Sequence, residues 1–291
     1  MDVSRLVSVR RTGSAEVVSV NTPAELYLDL MKKSLSFALW PEPLTPVELS
    51  HRPLQRMAVS LFSRVLARRG WQLAVRHDVS EKQREEGSIW PGYADTMIGM
   101  KRLDNLQACI ETVLRDGIEG DLIETGVWRG GACIFMRAVL AAYGVADRRI
   151  YVADSFEGLP MPRLTADAGD IHHTFGFLAV SQQEVEQNFR RYGLLDDRVV
   201  FLKGWFRDTL PAAPIRALSI LRLDGDMYES TLDGLTNLYP KLSSGGFCIV
   251  DDYGLEGCEN AVNEYRRAHG IAATLQQIDS SRAVCWRKTA S

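Results

Sequence analysis

From residue 120 onward, short apolar runs alternate with helical runs, and this alternation limits what the chain can fold into more than any other feature. "DLIETG" leads into "ACIFMRAVLAAYG", and "RIYVADSFEG" stands before "VSQQEVEQNFRRYGL". "RVVFLKGWF" follows, then "LSILRLDGD" with "STLDGLTNLYPKL", and "GGFCIVDDYG" with "CENAVNEYRRAHGI". Strands that are apolar on both faces must be covered on both faces. The pattern therefore predicts a mostly parallel sheet with helices on either side. "TLQQID" and "AVCWRK" close the chain with no helix between them, which predicts an antiparallel hairpin at an edge.

Upstream of residue 120 the texture is helical. Residues 1–22 are polar and small and are expected to form a flexible arm. "TPAELYLDLMKKSLSFALW" opens with Thr22 and Pro23 as an N-cap and first-turn pair, and its Leu26, Leu30 and Leu35 suit a helix. Residues 52–75 read as a second helix with an arginine-rich, solvated face, and 78–95 as a loop. "TMIGMKRLDNLQACIETVLRDGIEG" is a further helix that stops at glycine. With 291 residues, 46% of them hydrophobic, the chain is expected to be one large domain with an elaborated N-terminal end. The net charge of −3 leaves no basic footprint for nucleic acid. Five scattered cysteines without a CxxC pair read as ordinary thiols in a reducing cytoplasm. No apolar run is long enough for a membrane span or a signal peptide, so a cytoplasmic protein is expected.

In open α/β sheets the ligand lies beyond the carboxyl ends of the strands. Here the strand ends are Glu124-Thr125-Gly126, Asp154-Ser155-Phe156, Gly204-Trp205, Asp224-Gly225-Asp226 and Asp251-Asp252. Four of the five carry a carboxylate, whereas chance acidic residues favour solvated helix faces. Gly126 permits a close backbone approach, and Gly130 and Gly131 let the next helix start tight against the turn. The turn lacks both a G-x-G-x-x-G pattern and a phosphate-cradling lysine, and Arg129 is its one cation. Glu124 would repel a pyrophosphate but suits a cationic or hydroxyl-bearing ligand. S-adenosylmethionine offers a sulfonium, an amino group and a ribose diol, and Asp154 is placed to accept from such a diol. Asp224, Asp251 and Asp252 are hard oxygen donors suited to Mg²⁺, Mn²⁺ or Ca²⁺. Without a cation they would repel one another.

The stretches "GDLIETGVWRGGACIFMRAVLAAYG", "RRIYVADSFEGLP", "LDGDMYESTLDGLTNLYPKLSSGGFCIVDDYG" and "MIGMKRLDNLQ" closely resemble the macrocin/mycinamicin sugar O-methyltransferase family, over roughly residues 22–288. The resemblance implies a class I S-adenosylmethionine-dependent methyltransferase fold: a Rossmann-like, seven-stranded sheet with an antiparallel last strand, here with an N-terminal helical extension. The implied division is an arm over 1–22, a helical extension or cap over 23–119, and a methyltransferase domain over 120–291 with a lid insert around 160–182. The resemblance also implies Mg²⁺ dependence, a homodimer or higher homo-oligomer, and a sugar hydroxyl as acceptor, on an antibiotic glycoside, a glycolipid or an oligosaccharide. Carried over by position, Glu124, Thr125, Gly126, Val127 and Trp128 match the cofactor turn. Asp154, Ser155, Phe156, Glu157 and Gly158 match the ribose and adenine side, with Gly204 and Trp205 bordering adenine. Thr96 and Met97 match an upstream cofactor contact. Asp224, Asp251 and Asp252 match the metal ligands, and Asp224 the general base, for which Asp226 is the rival. "TADAGDIHHTFGFLAV" falls where the family carries its lid, and His172 and His173 read there as packing or substrate hydrogen-bonding groups. Three other readings stay open: a metal-dependent methyltransferase of a phenol or catechol, a cofactor-binding protein without catalysis, and a nicotinamide dehydrogenase.

Overall fold

The computed structural model describes residues 22–46, 60, 62–75 and 78–289. The expected arm lies outside the described residues except for Thr22, as does most of 47–61. Of the helix expected over 52–75, residues 62–67 are helical. A two-stranded ribbon pairs Thr45–Pro46 with Ala74–Val75.

Seven strands form the central sheet: β1 (Asp121–Thr125), β2 (Ile150–Asp154), β3 (Val199–Lys203), β4 (Leu218–Leu223), β5 (Leu242–Val250), β6 (Gln276–Gln277) and β7 (Val284–Arg287). Their order is β3-β2-β1-β4-β5-β7-β6. The first five run parallel, β7 runs antiparallel to β5, and β6 pairs with β7 at the edge. The closing pair is thus the predicted edge hairpin. The order reverses between β1 and β4, which opens a crevice at their carboxyl ends. In register, Glu124 of β1 stands beside Arg222 of β4.

Besides the helical residues 60 and 62–67, eight helices are bounded among the described residues as α1 (Pro23–Leu35), α2 (Glu81–Glu86), α3 (Met100–Arg115), α4 (Gly131–Ala142), α5 (Gln182–Arg191), α6 (Phe206–Thr209), α7 (Tyr228–Leu238) and α8 (Glu256–Ala268). Alternate strand residues feed two cores. Leu122, Ile150, Val152 and Ile220 pack under α1, α3, α4 and α5. Ile123, Tyr151, Leu221 and Leu223 pack under α7 and α8. Continuously apolar strands therefore fill both faces, as a buried parallel sheet requires.

Several local expectations change. Thr22 and Glu25 form a reciprocal capping box at the start of α1, as the Thr-Pro opening suggests. The buried stripe of α1, however, is Leu28, Met31 and Leu35, while Leu26 and Leu30 are more than half exposed. Residues 78–95 are not all loop. Ser80 and Gln83 cap α2, and Gly87 ends it in the left-handed region. The helix expected from Thr96 starts at Met100, after an extended approach. The run "RVVFLKGWF" stops as a strand at Lys203, because Gly204 turns the chain at φ +137° and Phe206 opens α6.

Because Leu28 is fully buried in the same core as Ile110, Phe135 and Val139, α1 is part of the main packing unit. Leu28→Ala should lower unfolding free energy by about 2–5 kcal/mol in urea denaturation, whereas Leu30→Ala should change it by less than about 1 kcal/mol.

Candidate active site

The carboxyl ends of β1, β2, β4 and β5 line a cavity of about 300 Å³. The α3 approach, α6, the first turns of α7 and the 158–178 segment complete its walls. Two glycines bring the strand-end loops together. A Cβ on Gly126, at φ +85°, would stand 1.6 Å from the carbonyl oxygen of Asp224. The first reason for that glycine is therefore passage of the β4 loop, rather than approach of a ligand. A Cβ on Gly131 would stand 2.4 Å from the carbonyl oxygen of Asp95 and 2.5 Å from the Thr96 side chain. The tight start of α4 thus holds the Thr96–Ile98 segment against the cavity. Trp128, Phe156 and Asp226 all take positive φ, at 48°, 58° and 58°. Strained conformations of this kind persist where the surroundings over-determine them.

Buried charge organises the floor. The Arg222 guanidinium is 1% exposed and donates to three carboxylates from three strand ends. It pairs with Glu124, with Asp224 at 2.7 Å and with Asp251. Arg102, from α3, takes the other oxygen of Asp251, Asp279 at 2.5 Å and Ser281 at 2.6 Å. Glu124 is 2% exposed and also accepts from the Cys133 thiol at 2.9 Å. Burial pushes its pKa up to about 7 against the pull of Arg222. The charge read as a ligand contact is thus already engaged by Arg222.

The cations do not balance the anions. Asp226 is pushed up to about 7 by burial and then by the Asp224 charge. Asp252 is held well above the ordinary carboxylate range by burial and by Asp226, Asp224 and Asp251. Asp224 is raised by burial and by Asp251. One ligand oxygen each from Asp224, Asp251 and Asp252 lies within 4.8 Å of the others. Hard oxygen donors at that spacing, with excess negative charge, suit a dication. Asp252 is steadied by the Asp226 N–H, which donates to it at 2.9 Å.

At the other end of the cavity Asp154 braces two loops. It accepts from the N–H of Val127 and from that of Phe156, each at 2.7 Å. Burial still raises its pKa. Ser155 Oγ donates to the Gly158 carbonyl at 2.7 Å and fixes the turn. Trp128 Nε1 donates to the Phe177 carbonyl at 3.0 Å, tying the turn to the 158–178 segment.

Of the residues singled out in the sequence, Thr96, Met97, Glu124, Gly126, Val127, Trp128, Asp154, Ser155, Gly158, Trp205, Asp224, Asp251 and Asp252 line the cavity. Thr125 and Phe156 are buried behind it, Glu157 is exposed, and Gly204 forms the turn before Trp205 without lining it. His172 lines the cavity and pairs through Nδ1 with Asp170 at 3.0 Å, whereas His173 does not line it. Sequence reasoning missed Arg102, Arg222 and Trp90. A lone charge inside the otherwise uncharged "LSILRL" was the available signal for Arg222. Removing it leaves buried carboxylates unpaired. Arg222→Met should therefore cost about 3–5 kcal/mol of stability in urea unfolding, against less than about 1 kcal/mol for the exposed Lys33→Met.

No helix among the described residues is long and apolar enough to cross a membrane. The family model described as macrocin O-methyltransferase (TylF) matches residues 24–288. The chain is 48% identical to a Streptomyces olivaceus protein named 8-demethyl-8-(2,3-dimethoxy-alpha-L-rhamnosyl)-tetracenomycin-C 4'-O-methyltransferase, over 92% of this chain and 94% of that one. It is 47% identical to the demethyldecarbamoylnovobiocin O-methyltransferase of Streptomyces niveus, over 92% and 95%. The solved structure of the O-methyltransferase NovP shares 46% identity at a TM-score of 0.79, covering 92% of this chain and all of that one. The sheet order and its reversed strand are those of the class I methyltransferase fold. The chain belongs to the macrocin O-methyltransferase (TylF) family and is an O-methyltransferase.

Proposed function

We infer that this enzyme moves the methyl group of S-adenosylmethionine to a hydroxyl of a sugar carried by a natural-product glycoside, with Mg²⁺ beside the acceptor. The observation that carries the reading is the acidic group Asp224, Asp251 and Asp252 at one end of a cavity whose other end is the Gly126–Asp154 turn. The names of the two relatives, a rhamnosyl-tetracenomycin and a novobiocin-precursor methyltransferase, support a glycoside acceptor in antibiotic biosynthesis.

When bound, S-adenosylmethionine supplies an electrophilic methyl group and the dication supplies a Lewis acid for the acceptor oxygen. Asp224, Asp251 and Asp252 would hold the dication. Thr96, Met97, Gly126 to Trp128 and Asp154 to Gly158 would hold the cofactor, with Trp205 at its border. Asp154 already spends an acceptor site on each of two backbone N–H groups, so a ribose diol would use its remaining lone pairs. Thr125, Phe156, Glu157 and Gly204 would act by shaping the turns behind the cavity wall.

A neutral sugar hydroxyl is a weak nucleophile, and a positioned base helps by about 10²–10⁴ in rate. Asp224 is placed for this. Its Oδ2 is fixed by Arg222 at 2.7 Å, and its other oxygen has no hydrogen-bond partner among the described residues. Burial raises its proton affinity while Arg222 restrains it. Holding the two reactants in line contributes roughly 7–11 kcal/mol in well-oriented systems. The closely packed loops at Gly126 and Asp226 would favour that alignment. Asp226 is the second candidate base, favoured by a pKa pushed up to about 7 by burial and by having no arginine partner among the described residues.

Asp224→Ala should lower turnover by at least about 10²-fold while S-adenosylhomocysteine binding stays within about threefold. EDTA should abolish turnover and Mg²⁺ restore it. An acceptor panel with radiolabelled S-adenosylmethionine checks the substrate. Transfer to rhamnosyl or noviosyl glycosides is expected, and transfer to catechol with no glycoside turned over would replace this reading. Full activity of Asp224→Ala would remove Asp224 from its role and leave Asp226→Asn as the next variant.

A further inference from the structure

The segment between β2 and α5 crosses the cavity mouth in three short turns, Thr165–Asp167, His172–Thr174 and Gly176–Leu178. Most of it is exposed or half-buried, but Asp167 is 3% exposed. Its Oδ1 accepts from the N–H of Tyr228 at 2.7 Å and its Oδ2 from that of Glu229 at 3.1 Å. These are first-turn donors of α7, whose own N-cap residue, Met227, has no capping side chain. A carboxylate 61 residues away in sequence therefore supplies the cap. It is also the favourable charge for a helix N-terminus. Gly257 of α8 closes the seat: a Cβ there would stand 3.2 Å from Asp167 Oδ1.

Two walls of the cavity meet at this bond. The first turn of α7 carries Glu229 and Ser230 into the lining and directly follows the Asp224–Asp226 loop. On the other side, the Asp167 carbonyl accepts from the N–H of Asp170 at 2.9 Å, and Asp170 pairs with His172, which faces the cavity. The turn at Gly126 and Val127 stands on β1 and has no bond to Asp167.

We propose that Asp167 is a positioning residue for methyl transfer. It clamps the root of the covering segment to the helix that continues from the Asp224–Asp226 loop, and so sets the spacing of the two walls that enclose the acceptor. This rests on the reading that the acceptor lies between His172 and Asp224. A clamp of this kind governs acceptor binding and leaves the cofactor turn alone.

The test compares Asp167→Ala and Asp167→Asn with the parent enzyme. Asparagine keeps one acceptor oxygen, for the Tyr228 N–H, but sets a donor against the Glu229 N–H, and alanine keeps no acceptor. In hydrogen exchange of the S-adenosylhomocysteine complex, Asp167→Ala should speed the amides of 170–178 and of Tyr228 and Glu229 by about tenfold, with β1 and β2 unchanged. The KM for demethyldecarbamoylnovobiocin or for the rhamnosyl-tetracenomycin should rise by about tenfold, with S-adenosylhomocysteine affinity within about threefold. Asp167→Asn, which keeps the shorter of the two bonds, should fall between Asp167→Ala and the parent in both. If Asp167→Ala does not fold, Asp167→Ser, a shorter cap, is read the same way. Unchanged exchange, or cofactor affinity falling in step with acceptor KM, overturns the proposal. If the parent turns over neither glycoside, the acceptor reading fails while exchange still decides the clamp.

Discussion

The guanidinium of Arg222 holds the site together. It lies in a strand that is otherwise uncharged and buried on both faces, and it draws Glu124, Asp224 and Asp251 toward one point. Each of these carboxylates comes from a different strand end. Without the cation their burial side by side would be too costly to keep all three ionised. Arg102 repeats the device from α3, binding the second oxygen of Asp251 and fixing the β6–β7 loop through Asp279 and Ser281. The N-terminal helices and the C-terminal hairpin are in this way tied to the acidic end of the cavity. The two arginines offset part of the charge and leave Asp226 and Asp252 in excess. That residue of negative charge is what a dication would meet.

The two ends of the cavity are built from different interactions. At the turn end, backbone N–H groups and small residues dominate: Gly126 passes under the Asp224 carbonyl, and Asp154 holds Val127 and Phe156. At the acidic end, side-chain charge dominates. Under the proposed function, a cofactor with a cationic centre and an acceptor oxygen that must lose a proton make different demands, and this division would suit them. Three strained non-glycine residues, Trp128, Phe156 and Asp226, sit at the junctions between strands and loops. The dense packing around them fixes the loops in place before any ligand arrives.

Much of this was legible in the sequence because period and position carry it. Apolar runs with helical spacers dictate a doubly covered parallel sheet, and the crevice rule then makes the strand-end carboxylates readable as a set. What failed was local. Two stripes compete on α1, and Leu26 with Leu30 has the same spacing as the stripe that is buried, so only tertiary packing chooses Leu28, Met31 and Leu35. The Ser80–Gln83 box and Gly87 were visible helix punctuation inside a polar stretch, outweighed there by composition. Glu124 looked free because its partner is 98 residues away, and register alone puts Arg222 beside it. Asp167 had no sequence signal, since a cap borrowed from a distant loop leaves no mark at the helix it serves.

Under the proposed function, Asp224, Asp251 and Asp252, the first two paired to Arg222, would hold a dication beside the acceptor oxygen. The most direct measurement is anomalous X-ray scattering from crystals grown with Mn²⁺ and S-adenosylhomocysteine. One strong peak bounded by Asp224, Asp251 and Asp252 is expected, with Arg222 still paired to Asp224 and Asp251 and Arg102 still paired to Asp251. A peak at another location, or none at this site while S-adenosylhomocysteine fills the Gly126–Asp154 turn, would contradict it.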